Sequence, residues 1–117
     1  MCRTALSLVL AFLTLPLFAP GVFAEGKKKI IFIAGNPSHE FGGHEHNAGC
    51  ELLAKCLAES MSDRIETKVY HNGWPKEQGA LKDADAIIMY CDGGNGHMAL
   101  KHLAELEELA KRGVGIG

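Results

Sequence analysis

Ile30-Ile31-Phe32-Ile33-Ala34-Gly35 and Ala86-Ile87-Ile88-Met89-Tyr90-Cys91 are the stretches that decide the fold. Each is a continuous apolar run that stops at a turn signal, Gly35 in the first case and Asp92-Gly93 in the second. Runs apolar at every position suit strands covered on both faces, as in a parallel sheet under helices. Residues 65–70 read differently. Ile65, Thr67 and Val69 alternate with Glu66, Lys68 and Tyr70. That pattern predicts a strand nearer the sheet edge, with one wetter face.

Helical spacing fills the gaps between these strands. A helix is predicted from near Asn47, a good capping residue, to near Ser60, with Cys50, Leu53, Ala54 and Leu57 as its apolar stripe. A second is predicted from about Met98 to Arg112, burying Leu100, Leu103, Leu106, Leu109 and Ala110. Lys101–Glu105, Glu107–Lys111 and Glu108–Arg112 are spaced as (i, i+4) ion pairs on its other side. Gly113 is a natural stop, and Val114-Gly115-Ile116-Gly117 opens another buried strand. The order is strand, helix, strand, turn, strand, helix, strand start. Alternating elements of this kind imply an α/β fold, a parallel sheet with helices on its faces. The chain stops inside a strand, so it reads as a domain truncated at its C-terminal side.

The N-terminus reads as a targeting segment. Arg3, the apolar run from Ala5 to Phe18, and Val22-Phe23-Ala24 form the three regions of a secretory signal peptide, with the cut after Ala24. The apolar run falls short of the roughly 20 residues a membrane span needs; an uncleaved anchor is the alternative. An exported, periplasmic or extracellular domain over residues 25–117 is expected, with no stable membrane span after cleavage. Losing residues 1–24 removes Arg3 and no acidic residue, so the formal net charge of −2 becomes −3. A mildly acidic chain without a basic stripe argues against a nucleic-acid partner. Cys50 and Cys56 lie six apart on one predicted helix, about 9 Å along its axis. A disulfide needs Cα atoms within roughly 7 Å. Together with Cys91 they are read as small buried hydrophobes.

Ligands of open parallel sheets bind beyond the carboxyl ends of the strands, where strand order reverses. Two loops leave such ends: residues 35–47, Gly35-Asn36-Pro37-Ser38-His39-Glu40-Phe41-Gly42-Gly43-His44-Glu45-His46-Asn47, and residues 92–97, Asp92-Gly93-Gly94-Asn95-Gly96-His97. With strand order 2-1-3-4, both flank one crevice. The first loop holds His39, His44 and His46, with Glu40 and Glu45 among them. Imidazoles and carboxylates ligate zinc and similar metals. The His-Glu-x-x-His zinc-protease motif is absent, because His39 and His44 are five apart and Gly42-Gly43 break the helix it needs. His44 and His46 remain as a candidate divalent-metal pair; the alternative is a metal-free, hydrogen-bonding loop.

The second loop matches neither the dinucleotide fingerprint nor a P-loop. It is either an anion-binding turn or a tight strand-to-helix turn needing positive φ. Asp92 and His97 are both placed to reach the crevice, where an Asp–His pair does acid–base work or makes a structural hydrogen bond. Cys91 is read as core rather than nucleophile, since Asp92 beside it opposes thiolate formation. His71-Asn72-Gly73-Trp74-Pro75 reads as a turn built on Asn-Gly. Trp74 packs on the sheet edge or stacks on a sugar ring.

Taken in order, Ile30 to Gly35 with Pro37-Ser38-His39, Glu45-His46-Asn47-Ala48-Gly49, Asn72-Gly73-Trp74-Pro75, Ala84-Asp85-Ala86, and Asp92-Gly93-Gly94 with His97 resemble the start of trehalose-utilisation (ThuA-like) domains. The resemblance runs from about Lys28 to Gly117. It implies a flavodoxin-like three-layer sandwich, similar in fold to class I glutamine amidotransferases, and a link to carbohydrate metabolism. It puts His39, His46, Asp92 and His97 at the ligand crevice, as the candidate catalytic residues, without implying a settled reaction. It also implies that Gly35, Ser38, Asn47, Gly93, Gly94 and Trp74 contact a small carbohydrate, a sugar or keto-sugar. The amidotransferase triad is not transferred, because its nucleophile turn would follow the strand that Val114 opens. An enzyme acting on a sugar is the first reading that follows; a non-catalytic sugar-binding or interaction module, or a truncated inactive fragment, is the alternative, and a flavin- or phosphate-binding domain is a further one, from fold alone.

Overall fold

The computed structural model describes residues 26–117. The expected signal peptide, residues 1–24, lies outside the described residues. Strands β1 (Lys28–Ala34), β2 (Ile65–Tyr70), β3 (Ala86–Tyr90) and β4 (Gly115–Ile116) and helices α1 (His46–Ser60) and α2 (Leu103–Lys111) alternate along the chain. All strand pairs are parallel, in the order β2-β1-β3-β4. The alternating strand β2 is the edge strand its pattern predicts.

β1 holds the structure together because its two faces feed two cores. Ile31 and Ile33 point to one side, where they join Ile87 of β3 and Leu106 and Leu109 of α2. Phe32 and Ala34 point to the other, against Cys50 and Ala54 of α1. Full burial of an Ile or Phe side chain is worth roughly 1.5–3 kcal/mol, so β1 alone anchors much of the fold. The two helices therefore cover opposite faces. Crossovers of one hand that run in opposite directions across a sheet must do so, and β1→β2 and β3→β4 run in opposite directions. The link from β2 to β3 contains no helix, yet Leu81 and Ala84 from it are buried in the α2-side core. Leu81 follows only Ala80 and Ala84 sits between two aspartates, so no apolar run of strand length marks them.

Several local expectations change. The predicted second helix splits into a 3-10 turn, Met98–Lys101, and α2. His102 between them leaves helical angles (φ −128°, ψ 18°) and stacks its ring flat on Trp74, with centroids 4.1 Å apart. The break turns Leu100 and Leu103 outward, and Ala110 is exposed as well. In α1, Leu53 faces solvent and Cys50 and Ala54 carry the contact. Lys111 pairs with both Glu107 (2.9 Å) and Glu108 (3.0 Å). Arg112 bonds instead to the Lys82 carbonyl. Gly113 ends the helix at φ 90° as expected.

All three described cysteines are free, but only Cys50 is fully buried, and Cys56 is exposed. Burial pushes the Cys50 thiol above its ordinary pKa. Peptide mapping after a timed thiol-label pulse on the folded chain is expected to find Cys56 modified at least ~10-fold faster than Cys50. Gly35, at the end of β1, is needed for a close approach: a Cβ there would lie 2.6 Å from the Cys91 Cβ and 2.9 Å from its Cα. Gly35→Ala should cost about 1–3 kcal/mol in denaturant unfolding. Gly93→Ala, at a site open to solvent, should stay within about 0.5 kcal/mol.

Candidate functional site

The strand order places the switch point between β1 and β3, since the chain leaves β1 to one side for β2 and returns to the other for β3. Gly35 and Cys91 follow those two strands directly, with the Gly35 amide bonded to the Tyr90 carbonyl. The loops of residues 35–47 and 92–97 therefore start side by side, as the 2-1-3-4 order requires.

The first loop folds back on itself. Ser38 and His44 form an isolated antiparallel bridge, with Glu40 to Gly43 as the turn. The Gly43 amide bonds to the Glu40 carbonyl, and Gly42 takes φ 81°. The Gly42 amide also donates to Glu45 Oε1 at 2.8 Å. Helix α1 begins one residue before the predicted cap, at His46, and Asn47 does not cap it. Its amide instead grips the turn after β2, donating to Asn72 Oδ1 at 2.9 Å and accepting from the Asn72 amide at 3.3 Å. The Asn72-Gly73 turn has φ of 58° and 100°, the left-handed pair that its sequence demands.

His39, His44, His46 and Asp92 come together. His44 Nδ1 lies 2.7 Å from Asp92 Oδ1 and 3.0 Å from Ser38 Oγ. His39 and His44 rings meet edge to face, with centroids 4.2 Å apart. His46 is 3% exposed. Its Nδ1 lies 3.1 Å from the Asn36 carbonyl, its Nε2 3.8 Å from Asp92 Oδ1, and its ring packs edge-on against Tyr90.

Hydrogen-bond chemistry fixes who donates. A neutral imidazole carries one N–H. On His46 it must sit on Nδ1, because the Asn36 carbonyl only accepts. Nε2 then presents its lone pair towards Asp92. On His44 the single Nδ1–H goes to Asp92, the closer and charged acceptor. The Ser38 hydroxyl also donates to Asp92, and this bond, followed by the histidines, holds the Asp92 carboxyl below its ordinary pKa. Ser38, His44 and Asp92 thus adjoin without forming a catalytic triad. A triad needs serine and aspartate on opposite ring nitrogens, whereas here both meet Nδ1.

His97 is not in this cluster. Its Nδ1 accepts from the Ala99 amide at 3.1 Å, capping the 3-10 turn. It lines a separate cleft of about 350 Å³ with Asn36, Gly73, Trp74, Asn95 and Lys101, among others. Asn36 joins the two places, lining the cleft while its carbonyl holds His46. Trp74 is half-buried, stacked on His102 and packed against the α2-side core. Gly94 carries the positive φ expected of a tight turn, at 63°, and the turn it opens is a 3-10 turn of three residues, Gly94–Gly96. Gly93 is exposed with φ −91°. His102 belongs to the cleft wall and carries no sequence signal of its own; only the Trp74 stack reveals it.

Comparison of the chain with protein-family models, with curated proteins and with solved structures gives no match in any of the three. Among the described residues, no helix is long and apolar enough to cross a membrane.

His39 and His46 should differ sharply on mutation. His39 has φ 66°, a left-handed conformation that costs a non-glycine residue roughly 1–2 kcal/mol. His39→Gly is therefore expected to be neutral or stabilising by about 1 kcal/mol. His46→Ala, which empties a buried position, should cost about 1–3 kcal/mol. Denaturant midpoints of the two variants read both effects.

Proposed function

We propose that the chain carries a flavodoxin-like domain of the trehalose-utilisation (ThuA-like) type, exported, that binds and processes a small carbohydrate, a sugar or keto-sugar. The observation that carries this reading is the meeting of the two loops at the β1/β3 switch point, with His44 on Asp92 at 2.7 Å. A cleft of about 350 Å³ lies beside it. That volume suits a monosaccharide-sized ligand. Asn36, Asn95, Lys101 and His102 offer donors and acceptors for hydroxyl groups, and Trp74 offers an apolar ring at the wall. In this reading His44 and Asp92 exchange a proton with the bound sugar, and His46 and His39 flank them. His97 and Trp74 position the ligand.

A non-catalytic sugar-binding module is the second reading. It is favoured by the sharing of one imidazole nitrogen between Ser38 and Asp92, which leaves no activated hydroxyl nucleophile in the cluster.

Trp74 is the single tryptophan of the chain, so its fluorescence reports the cleft directly. Titration with a panel of sugars and keto-sugars should give a saturable change that Trp74→Phe abolishes. Turnover that His44→Ala lowers at least ~100-fold, with binding retained, supports the enzyme. Saturable binding without turnover supports the module. No response to any sugar contradicts both.

A further inference from the structure

We propose that His39, His44 and Asp92 form a three-ligand site for a divalent transition cation of the zinc type, open to solvent on its remaining positions. One ligand atom from each lies within 4.8 Å of the other two. This deepens the sugar-binding reading, because Asn36 joins the site to the cleft, lining the cleft while its carbonyl holds His46.

Around a zinc-sized cation with bonds near 2.0–2.1 Å, neighbouring ligand atoms lie about 3 Å apart. His44 Nδ1 and Asp92 Oδ1 are already at 2.7 Å. A cation bound there takes the place of the proton the two share. His39 lies within reach, its ring centroid 4.2 Å from that of His44. Both histidines are exposed, so small side-chain rotations close the set. The sequence spends a left-handed, non-glycine backbone on His39, yet its imidazole hydrogen-bonds to none of the described residues. A metal ligand explains that conformation, which no hydrogen bond does.

The surroundings fit the same occupant. His46 Nε2, buried, turns its lone pair towards Asp92 at 3.8 Å. Two acceptors facing each other are relieved by a cation or proton between them. Ser38 donates to Asp92 from outside the three-ligand set, as supporting residues do at metal sites. The pairing of His44 with His46 suggested by their spacing gives way to His39 and Asp92, since His46 Nδ1 is committed to Asn36. Two imidazoles and one carboxylate favour zinc or ferrous iron over magnesium or calcium, which take oxygen ligands.

The test uses the full chain, stripped with a chelator and titrated with Zn²⁺, and with Co²⁺ as a coloured substitute. One Zn²⁺ per chain is expected, with no competition from excess Mg²⁺ or Ca²⁺. His39→Gly and Asp92→Asn should each weaken Zn²⁺ binding at least ~10-fold. His71→Gln, which removes a histidine paired with Glu51 and outside the three-ligand set, should leave it unchanged. His39→Gly is not expected to disturb the fold, so its result stands even if Asp92→Asn unfolds. Undiminished binding in His39→Gly, or equal loss in His71→Gln, overturns the site. Trp74 fluorescence on the same samples separates the two readings. A sugar response in a chain that binds no Zn²⁺ removes the metal and leaves the sugar reading. Zn²⁺ binding without any sugar response does the reverse.

Discussion

A single contact, His44 Nδ1 to Asp92 Oδ1 at 2.7 Å, ties together two loops that are 48 positions apart in sequence. The clustering of the first-loop histidines around Asp92 depends on it. The contact exists because β1 and β3 are neighbours in a parallel sheet, so their carboxyl ends release both loops at one place. It is held from three sides: Ser38 through the small bridge to His44, His46 through the Asn36 carbonyl, and Gly35 by letting β1 come against Cys91. A carboxylate with these donors is kept ionised, which leaves a negative charge in the crevice for a cation to meet.

The packing that supports the contact is simple. β1 is apolar on both faces, and each face is claimed by one helix. A strand buried in this way leaves no freedom of register, because a slip by one residue would exchange Ile31 and Ile33 with Phe32 and Ala34. The position of Gly35, and with it the start of the first loop, follows from that register. Gly49 plays the same part on α1. A Cβ there would lie 2.7 Å from the Tyr90 ring, so the missing side chain lets the helix approach the end of β3 and carry His46 to the crevice.

The strands and their order were legible because apolar runs and alternation encode burial directly, and Ile65–Tyr70 was recognisable as an edge. That the two loops share one end of the sheet was legible too, since it follows from topology once the order is known; that Asp92 pairs with His44 was not. What the sequence hid is side-chain commitment. His97 is spaced like a partner for Asp92 yet spends its Nδ1 on the Ala99 amide. Asn47 looks like a cap yet binds Asn72. The second helix reads as continuous because its leucines keep helical spacing, and it is the Trp74–His102 stack, a contact between distant residues, that breaks it. Choices of this kind depend on partners brought in by tertiary structure, which local pattern does not contain.

The most direct test of the account is imidazole ¹⁵N NMR of the folded chain before and after Asp92→Asn. The account predicts that the His44 and His46 ring resonances move while those of His71, paired with Glu51, and His102, stacked on Trp74, stay in place. Unmoved His44 resonances would mean that the two loops do not meet, and the crevice described here would not exist.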